Sequence, residues 1–330
     1  MKTLVASRLP SPARVSSEDR PLTVALVQTR WHADPAEHLA VLDDGIASAA
    51  AAGAKVVFLP ELTLMRYPAD TVPTGTPSDL AEDLETGPTC TFAARAAAEH
   101  GLFVHASLYE KADDGDGLGF NTSILVAPDG TIVGRTRKLH IPVTAGYYED
   151  TYFRPGTGGH AYPVWELDLE GAPRLGMPTC WDEWFPEVAR AYSLGGAELL
   201  AYPTAIGSEP DHPDFDTEPL WRQVIVANGI ANGLFMVVPN RWGNEGLVTF
   251  YGSSFISDPY GRVLVQAPRD EDAVLVATLD LAQRTDWLTL FPFLATRRPD
   301  TYGALTAAAT DVATDVVPDV ATDVASEELS

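Results

Sequence analysis

The sequence predicts an α/β protein in which helices cover mixed sheets. Short apolar runs alternate with longer segments at helical spacing. The apolar runs lack a solvated face, so each predicted strand needs cover on both sides. Two turn signals, Pro128-Asp129-Gly130 and Asp258-Pro259-Tyr260-Gly261, lie between strand-like runs and require some antiparallel neighbours.

In chain order, residues 22–28 read as a buried strand. Asp34 then offers a helix cap, Pro35 suits the first turn, and Glu37 favours the positive end of the helix. That helix runs through an alanine-rich segment to residue 52, and Gly53 stops it. Residues 55–59 form a second buried strand, ending at Pro60-Glu61. Residues 66–88, rich in Pro, Thr, Gly and Asp, read as a long loop. A helix over 89–100 is stopped by Gly101, and a strand follows over 102–109. Asp113-Asp114-Gly115-Asp116-Gly117 is a surface turn, and 120–127 with 131–135 make a hairpin.

Residues 138–162 show no regular pattern, and a stretch of that length is uncommon unless it serves a function. An apolar run from Arg174 leads to Cys180, and a helix over 185–194 follows with Pro186 in its first turn and Glu187 near its positive end. A strand over 197–202, a helix over 216–232 and a strand over 234–238 come next. A hairpin over 253–257 and 262–266, then a strand over 273–279, close the pattern.

At 330 residues the chain can bury a large core, and 45% hydrophobic with 21% charged residues describes a soluble globular protein. One domain is expected over residues 21–305. Residues 1–20 carry Lys2, Arg8 and Arg14 without a sustained apolar core after them. They read as a flexible leader, not a signal peptide. Residues 306–330 read as an acidic, disordered tail: Asp311, Asp315, Asp319 and Asp323 recur every four residues, where like charges repel in a helix.

The formal net charge of -24 argues against nucleic acid as a partner, because phosphate binding needs clustered Lys and Arg. No apolar run is long enough to span a bilayer. The two cysteines, Cys90 and Cys180, make no disulfide framework. A cytoplasmic protein with a free thiol and a small-molecule partner is the expectation.

A lone cysteine is most often a small buried hydrophobe, as Cys90 reads at the start of its helix. Cys180 differs by its setting. At a strand end before a helix start, backbone N–H groups and the helix dipole can favour the thiolate, the nucleophilic form. Glu61 also ends a strand, after Phe58-Leu59-Pro60, in an apolar setting suited to a general base or acid. Lys138, in Arg135-Thr136-Arg137-Lys138-Leu139-His140-Ile141-Pro142, can hold a developing oxyanion. Glu149 lies among aromatics in the long irregular stretch. The histidines have no metal-ligand spacing, so no metal is expected.

Pro60-Glu61-Leu62, the Arg137-Lys138-Leu139-His140 run and Cys180-Trp181-Asp182 together resemble the Glu, Lys and Cys motifs of the nitrilase superfamily of carbon–nitrogen hydrolases. The resemblance covers residues 22–302 in order and spacing. It implies a four-layer αββα sandwich of nitrilase type, a homo-oligomer and no cofactor. It makes Glu61 the general base, Lys138 the stabiliser of the tetrahedral intermediate, Cys180 the nucleophile, and Glu149 the second glutamate that positions substrate.

Within the superfamily the motifs are most like those of N-carbamoylputrescine amidases. The likeness is carried by Trp181-Asp182-Glu183-Trp184-Phe185-Pro186-Glu187, by Tyr202-Pro203-Thr204-Ala205-Ile206-Gly207-Ser208-Glu209-Pro210 and by Asn240-Arg241. Thr249-Phe250-Tyr251-Gly252-Ser253-Ser254-Phe255-Ile256 and Arg297-Arg298-Pro299-Asp300-Thr301-Tyr302 extend it. Trp181, Asp182, Tyr147, Thr204 and Ala205 are the expected substrate-binding residues.

The sequence departs from the pattern at Met177-Pro178-Thr179, at Pro142-Val143-Thr144-Ala145-Gly146, at Glu183 for glutamine and at Asp150 for lysine. Asp182 and Glu183 beside the cysteine, with no arginine fork nearby, predict a substrate whose distal group is cationic or neutral. The competing readings are an aliphatic amidase or nitrilase on another small substrate, and a non-catalytic assembly protein on this fold.

Overall fold

The computed structural model describes residues 1–16, 18–112, 115–156 and 161–307. It divides into residues 1–294, which carry the fold, and a C-terminal unit from residue 295. Two sheets form the fold.

The first sheet has seven strands. They are β1 (Lys2–Val5), β2 (Pro21–Gln28), β3 (Val56–Phe58), β4 (Phe103–Glu110), β5 (Phe120–Val126), β6 (Ile132–Arg137) and β17 (Ala273–Asp280), in the order β1-β17-β2-β3-β4-β5-β6. The second has six: β9 (Val164–Glu166), β10 (Arg174–Gly176), β11 (Leu199–Ala201), β12 (Phe235–Val238), β15 (Phe255–Ser257) and β16 (Val263–Gln266), in the order β16-β15-β12-β11-β10-β9. Both sheets mix parallel and antiparallel pairs: β2 with β3 and β4 with β5 in the first, β10 with β11 and β10 with β9 in the second.

The layers follow from which faces are apolar. Leu22, Val24, Leu26, Val56 and Phe58 of the first sheet pack against Leu175, Leu199, Phe235, Val237 and Ile256 of the second. The opposite faces take helices. Ala25, Val27, Val57 and Val104 pack under α1 (Pro35–Ala51) and α2 (Pro88–His100), through Leu42, Ile46, Phe92 and Ala96. Leu200, Met236 and Val238 pack under α3 (Pro186–Leu194) and α4 (Glu218–Asn232), through Val188, Tyr192, Trp221 and Ile225. Strands buried on both faces explain why they read as continuous apolar runs. The result is the expected αββα sandwich, closed by α5 (Ala282–Leu290) after β17. Two small hairpins complete it: β7 (Val143–Thr144) with β8 (Tyr147–Tyr148), and β13 (Trp242–Asn244) with β14 (Thr249–Tyr251).

The first residues depart from the reading of a flexible leader. Lys2–Val5 pairs in parallel with β17, Leu4 and Ala6 pack on the inter-sheet core, and Arg14 pairs with Asp280 and Asp286. The free edge of β17 offers unpaired backbone groups, and this short strand satisfies them. Residues 66–88 hold two short 3₁₀ turns, Pro68–Asp70 and Pro77–Leu80. The irregular stretch from Lys138 contains β7, β8 and the turn Glu149–Thr151. β9, β13, β14 and α5 are also additions to the sequence reading. In the C-terminal unit, Arg298 pairs with Asp300 and Tyr302 accepts from the Arg298 N–H at 3.1 Å. The surface turn at Asp113-Asp114 lies partly outside the described residues, and the acidic tail lies outside them from residue 308 on.

Candidate active site

Four side chains distant in sequence converge at one end of the sandwich. Glu61 follows β3, Lys138 follows β6, Glu149 follows β8 and Cys180 follows β10. Lys138 Nζ lies 3.0 Å from Glu61 Oε1 and 2.6 Å from Glu149 Oε2. All four are at most 5% exposed. Burying an ammonium costs several kcal/mol, on the order of the attraction two well-placed carboxylates return. Burial works against the Lys138 charge, yet Glu149 and Glu61 hold its pKa above the ordinary lysine value. Burial pushes Glu149 up to about 7; Lys138 opposes this and Glu61 adds to it.

Glu61 is fixed on one oxygen only. Its Oε1 accepts from Asn121 Nδ2 at 2.7 Å as well as from Lys138. Its Oε2 is buried and has no hydrogen-bond partner among the described residues. The backbone beside it is strained: Leu62 has φ +48°, a conformation that costs ~1–3 kcal/mol for a residue with a side chain. Arg241 holds that conformation. Its Nη2 donates to Glu61 O at 2.6 Å and Leu62 O at 3.0 Å, while Glu245 takes Nη1 at 3.0 and 2.9 Å. Glu245 also accepts from the Tyr67 N–H at 2.9 Å, and Tyr67 OH donates to Glu149 Oε1 at 2.8 Å.

Cys180 opens a 3₁₀ turn, Cys180–Trp184, between β10 and α3, so the cysteine precedes a turn and not the helix itself. Its φ is +41°, and its N–H donates to Pro203 O at 3.0 Å. Thr179 and Asp182 cap this turn reciprocally, with Thr179 N to Asp182 Oδ2 at 3.0 Å. The expectation of a favoured thiolate is corrected here. Burial pushes the thiol well above its ordinary value, and Glu61 adds to this while Lys138 opposes it. The thiol lies within electrostatic reach of Glu61, a carboxyl group with one free oxygen. Such a set can pass a proton from sulfur to carboxylate as the sulfur attacks, with an ammonium at hand for an oxyanion.

The cavity over Cys180 has a volume of about 260 Å³. Glu149, Tyr147 and Trp181 line it, as do Pro142 and Thr144 from the segment where the sequence departs from its family pattern. Three expected binding residues do not line it. Asp182 is engaged in its cap and accepts from His140 N at 3.0 Å, with His140 Nδ1 2.7 Å away. Thr204 is buried and donates to Tyr202 O at 2.8 Å, and Ala205 packs in an aromatic cluster with Tyr147 and Phe250.

Glu183 is buried too, accepts from Trp221 Nε1 at 2.7 Å, and is pushed well above the usual carboxylate range by burial. The acids next to Cys180 in sequence therefore do not face the substrate space. Besides Glu149, the acid that does is Glu209, which sequence reasoning carried only inside the Tyr202–Pro210 motif, together with Trp184, Ile206, Phe215, Thr217 and Leu220. Asn121, Tyr67 and Arg241 were missed as partners of the quartet; only Asn240-Arg241 had a signal, as a motif. Among the described residues no group of three or more His, Cys, Asp or Glu could hold a metal ion.

A sandwich of this topology with such a quartet is the framework of enzymes that hydrolyse carbon–nitrogen bonds. The carbon-nitrogen hydrolase family model matches residues 23–288, and the chain belongs to that family, within the nitrilase superfamily. Among curated relatives it is 37% identical to a citrullinase of Francisella tularensis over 285 residues, 85% of this chain and 96% of that one. It is 34% identical to an N-carbamoylputrescine amidase of Solanum lycopersicum over 303 residues, 88% and 97% of the two chains. A carbon-nitrogen hydrolase of Helicobacter pylori G27 superposes with a TM-score of 0.77 at 29% identity, covering 88% of this chain and 100% of that one.

No helix among the described residues is long and apolar enough to cross a membrane.

Proposed function

We propose that this enzyme hydrolyses the terminal C–N bond of a small N-carbamoyl amine, such as N-carbamoylputrescine, through a thioester at Cys180. One observation carries the reading: a buried thiol and Glu149 line one small cavity, and Glu149 is joined through the Lys138 ammonium to Glu61, whose Oε2 is unpartnered. The names of the relatives, a citrullinase and an N-carbamoylputrescine amidase, support a carbamoyl substrate.

The steps follow from the groups present. Glu61 Oε2 takes the thiol proton as sulfur attacks the carbonyl carbon. The Lys138 ammonium stabilises the tetrahedral oxyanion. Glu61 returns the proton to the leaving nitrogen, and ammonia departs, leaving a thioester. Glu61 then takes a proton from water as its oxygen attacks, and the sulfur leaves and recovers a proton. The product carbamate breaks down to amine and carbon dioxide. Glu149 holds Lys138 in place and faces the cavity, where it positions the substrate. Tyr147 and Trp181 supply its walls. A homo-oligomer is part of the same proposal, and light scattering on the purified chain reads it.

Ammonia and carbon dioxide release over a panel of carbamoyl amines, aliphatic amides and nitriles tests the reading. Carbamoyl amines should give both products, and Cys180→Ala should abolish them. Ammonia without carbon dioxide, from amides alone, would move the assignment to an aliphatic amidase; acid from a nitrile would move it to a nitrilase. No turnover on any of the panel would favour an assembly role.

A further inference from the structure

We propose that Glu183 is a positioning residue that works as a neutral acid: its carboxyl proton closes a hydrogen-bond chain that fastens the turn carrying Cys180 to the end of β11. Glu183 follows the cysteine in the same 3₁₀ turn and is fully buried. Its backbone O accepts from Asn228 Nδ2 at 3.0 Å, and its Oε1 accepts from Trp221 Nε1 at 2.7 Å, both side chains of α4.

The other carboxyl oxygen decides the matter. Glu183 Oε2 lies 3.4 Å from Thr204 Oγ1. The Thr204 hydroxyl has one proton and gives it to Tyr202 O at 2.8 Å. Two oxygens then meet at the longer contact, and only a proton on Glu183 makes it a hydrogen bond. The chain runs from Glu183 Oε2–H to Thr204 Oγ1–H to Tyr202 O. Cys180 N–H donates to Pro203 O, between those two residues, at 3.0 Å, so the chain and the nucleophile grip the same segment.

The surroundings agree. Lys138 favours a charge on Glu183 and Glu61 opposes it, but Lys138 is already paired with Glu61 and Glu149. Cys180 lies on the same side. Tyr202 after β11 and Tyr251 of β14 interact with Glu183 as phenols, and Tyr192 of α3 interacts with Tyr202. The charged Glu218 of α4 pairs with Arg222 and Arg269. None of these gives Glu183 a cation of its own, and a buried carboxylate without one takes up a proton. Burial accordingly pushes its pKa well above the usual carboxylate range.

The test compares the purified full chain with Glu183→Gln, whose amide can replace the acid proton toward Thr204. An infrared difference spectrum at neutral pH should show that the variant lacks the C=O stretch of a protonated carboxyl; loss of carboxylate bands in its place would overturn the proposal. Unfolding reads the same proton. Above the ordinary value of 4.5 the unfolded chain releases it and the folded chain keeps it, so wild type loses stability as pH rises. The folding constant of Glu183→Gln should gain on that of wild type by up to about tenfold per pH unit. A constant ratio, or a deficit that grows with pH, would contradict the neutral acid.

Alkylation of Cys180 by iodoacetamide, read on its own peptide, should differ between the two by less than about twofold at neutral pH, since one neutral group replaces another. An anion at Glu183 would raise the thiol pKa, so much faster alkylation in the variant would also count against the proposal. Turnover reads the positioning. On N-carbamoylputrescine, Glu183→Gln should keep kcat within about twofold, and Glu183→Met, which cannot donate to Thr204, should lower it about tenfold or more with a smaller change in KM. Wild-type kcat in Glu183→Met would end the positioning role. The spectrum, the unfolding and the alkylation use no substrate, so they decide the neutral acid even where N-carbamoylputrescine is not turned over.

Discussion

Lys138 Nζ lies 2.6 Å from Glu149 Oε2, with both side chains almost wholly out of solvent. The pair is held with Glu61 as two carboxylates around one ammonium, and removing the ammonium leaves both negative charges uncompensated. Lys138→Met should destabilise the fold by about 3–5 kcal/mol, because two buried carboxylates then face each other. Urea unfolding measures this. A loss under about 1 kcal/mol would show that the ammonium is not the charge that holds the site together.

Glu149 gives a pH signature. Its folded pKa of about 7 lies above its ordinary 4.5, so between those values the folded state binds more protons than the unfolded one. Stability from this group is full below the lower value and falls as pH rises through the upper one. Glu149→Gln should flatten that decline. Unfolding free energies taken across the window should diverge between wild type and variant, and parallel curves would contradict the shift.

Glu61 should act oppositely on reactivity and on acidity. Glu61→Gln removes the proton acceptor, so kcat should fall by about 10²–10⁴-fold. The same change removes a negative charge that raises the thiol pKa, so Cys180 should titrate at lower pH. Thiolate absorbance reads the second effect. A titration that moves upward, or a variant with ordinary turnover, would contradict the geometry.

Arg241 is a positioning residue. Its guanidinium bridges Glu61 O, Leu62 O and Glu245, a fork that a lysine point charge cannot reproduce. Arg241→Lys should lower kcat by about tenfold or more with a smaller change in KM, since Glu61 is displaced but the cavity walls are kept. Equal changes in both would point to a general loss of structure.

The first strand makes a prediction about stability alone. Deleting residues 1–6 strips β1 from β17 and exposes its edge, along with the core under Leu4. The loss should be about 1–3 kcal/mol. Amide exchange at Ala273–Val276, the β1 register, should speed up accordingly. Unchanged exchange there would return the segment to the status of a loose leader.

The legibility of the site followed the range of the interactions. Glu61, Lys138, Glu149 and Cys180 were readable because each sits in a local motif, and the layers were readable because strands buried on both faces leave long apolar runs. Arg241 and Tyr67 were not, because their partners lie far along the chain: 180 residues for Arg241 with Glu61 and 82 for Tyr67 with Glu149.

Asp182 misled for a local reason. Thr179 three residues earlier is a capping-box signature, and that cap uses the carboxylate that seemed free for substrate. The thiol misled for a global one, since burial outweighs whatever the following turn offers. Glu209 carried no sequence signal of its charge being aimed inward. α5, with Gln283, Arg284 and Asp286 all buried, lacks the apolar spacing that marks the other helices.

The most direct test of covalent catalysis at Cys180 is mass analysis after rapid acid quench of the enzyme with N-carbamoylputrescine. The account predicts an adduct of substrate minus ammonia on the peptide carrying Cys180, abolished by Cys180→Ala together with turnover. Turnover that persists in Cys180→Ala, with no adduct on that peptide in wild type, would contradict it.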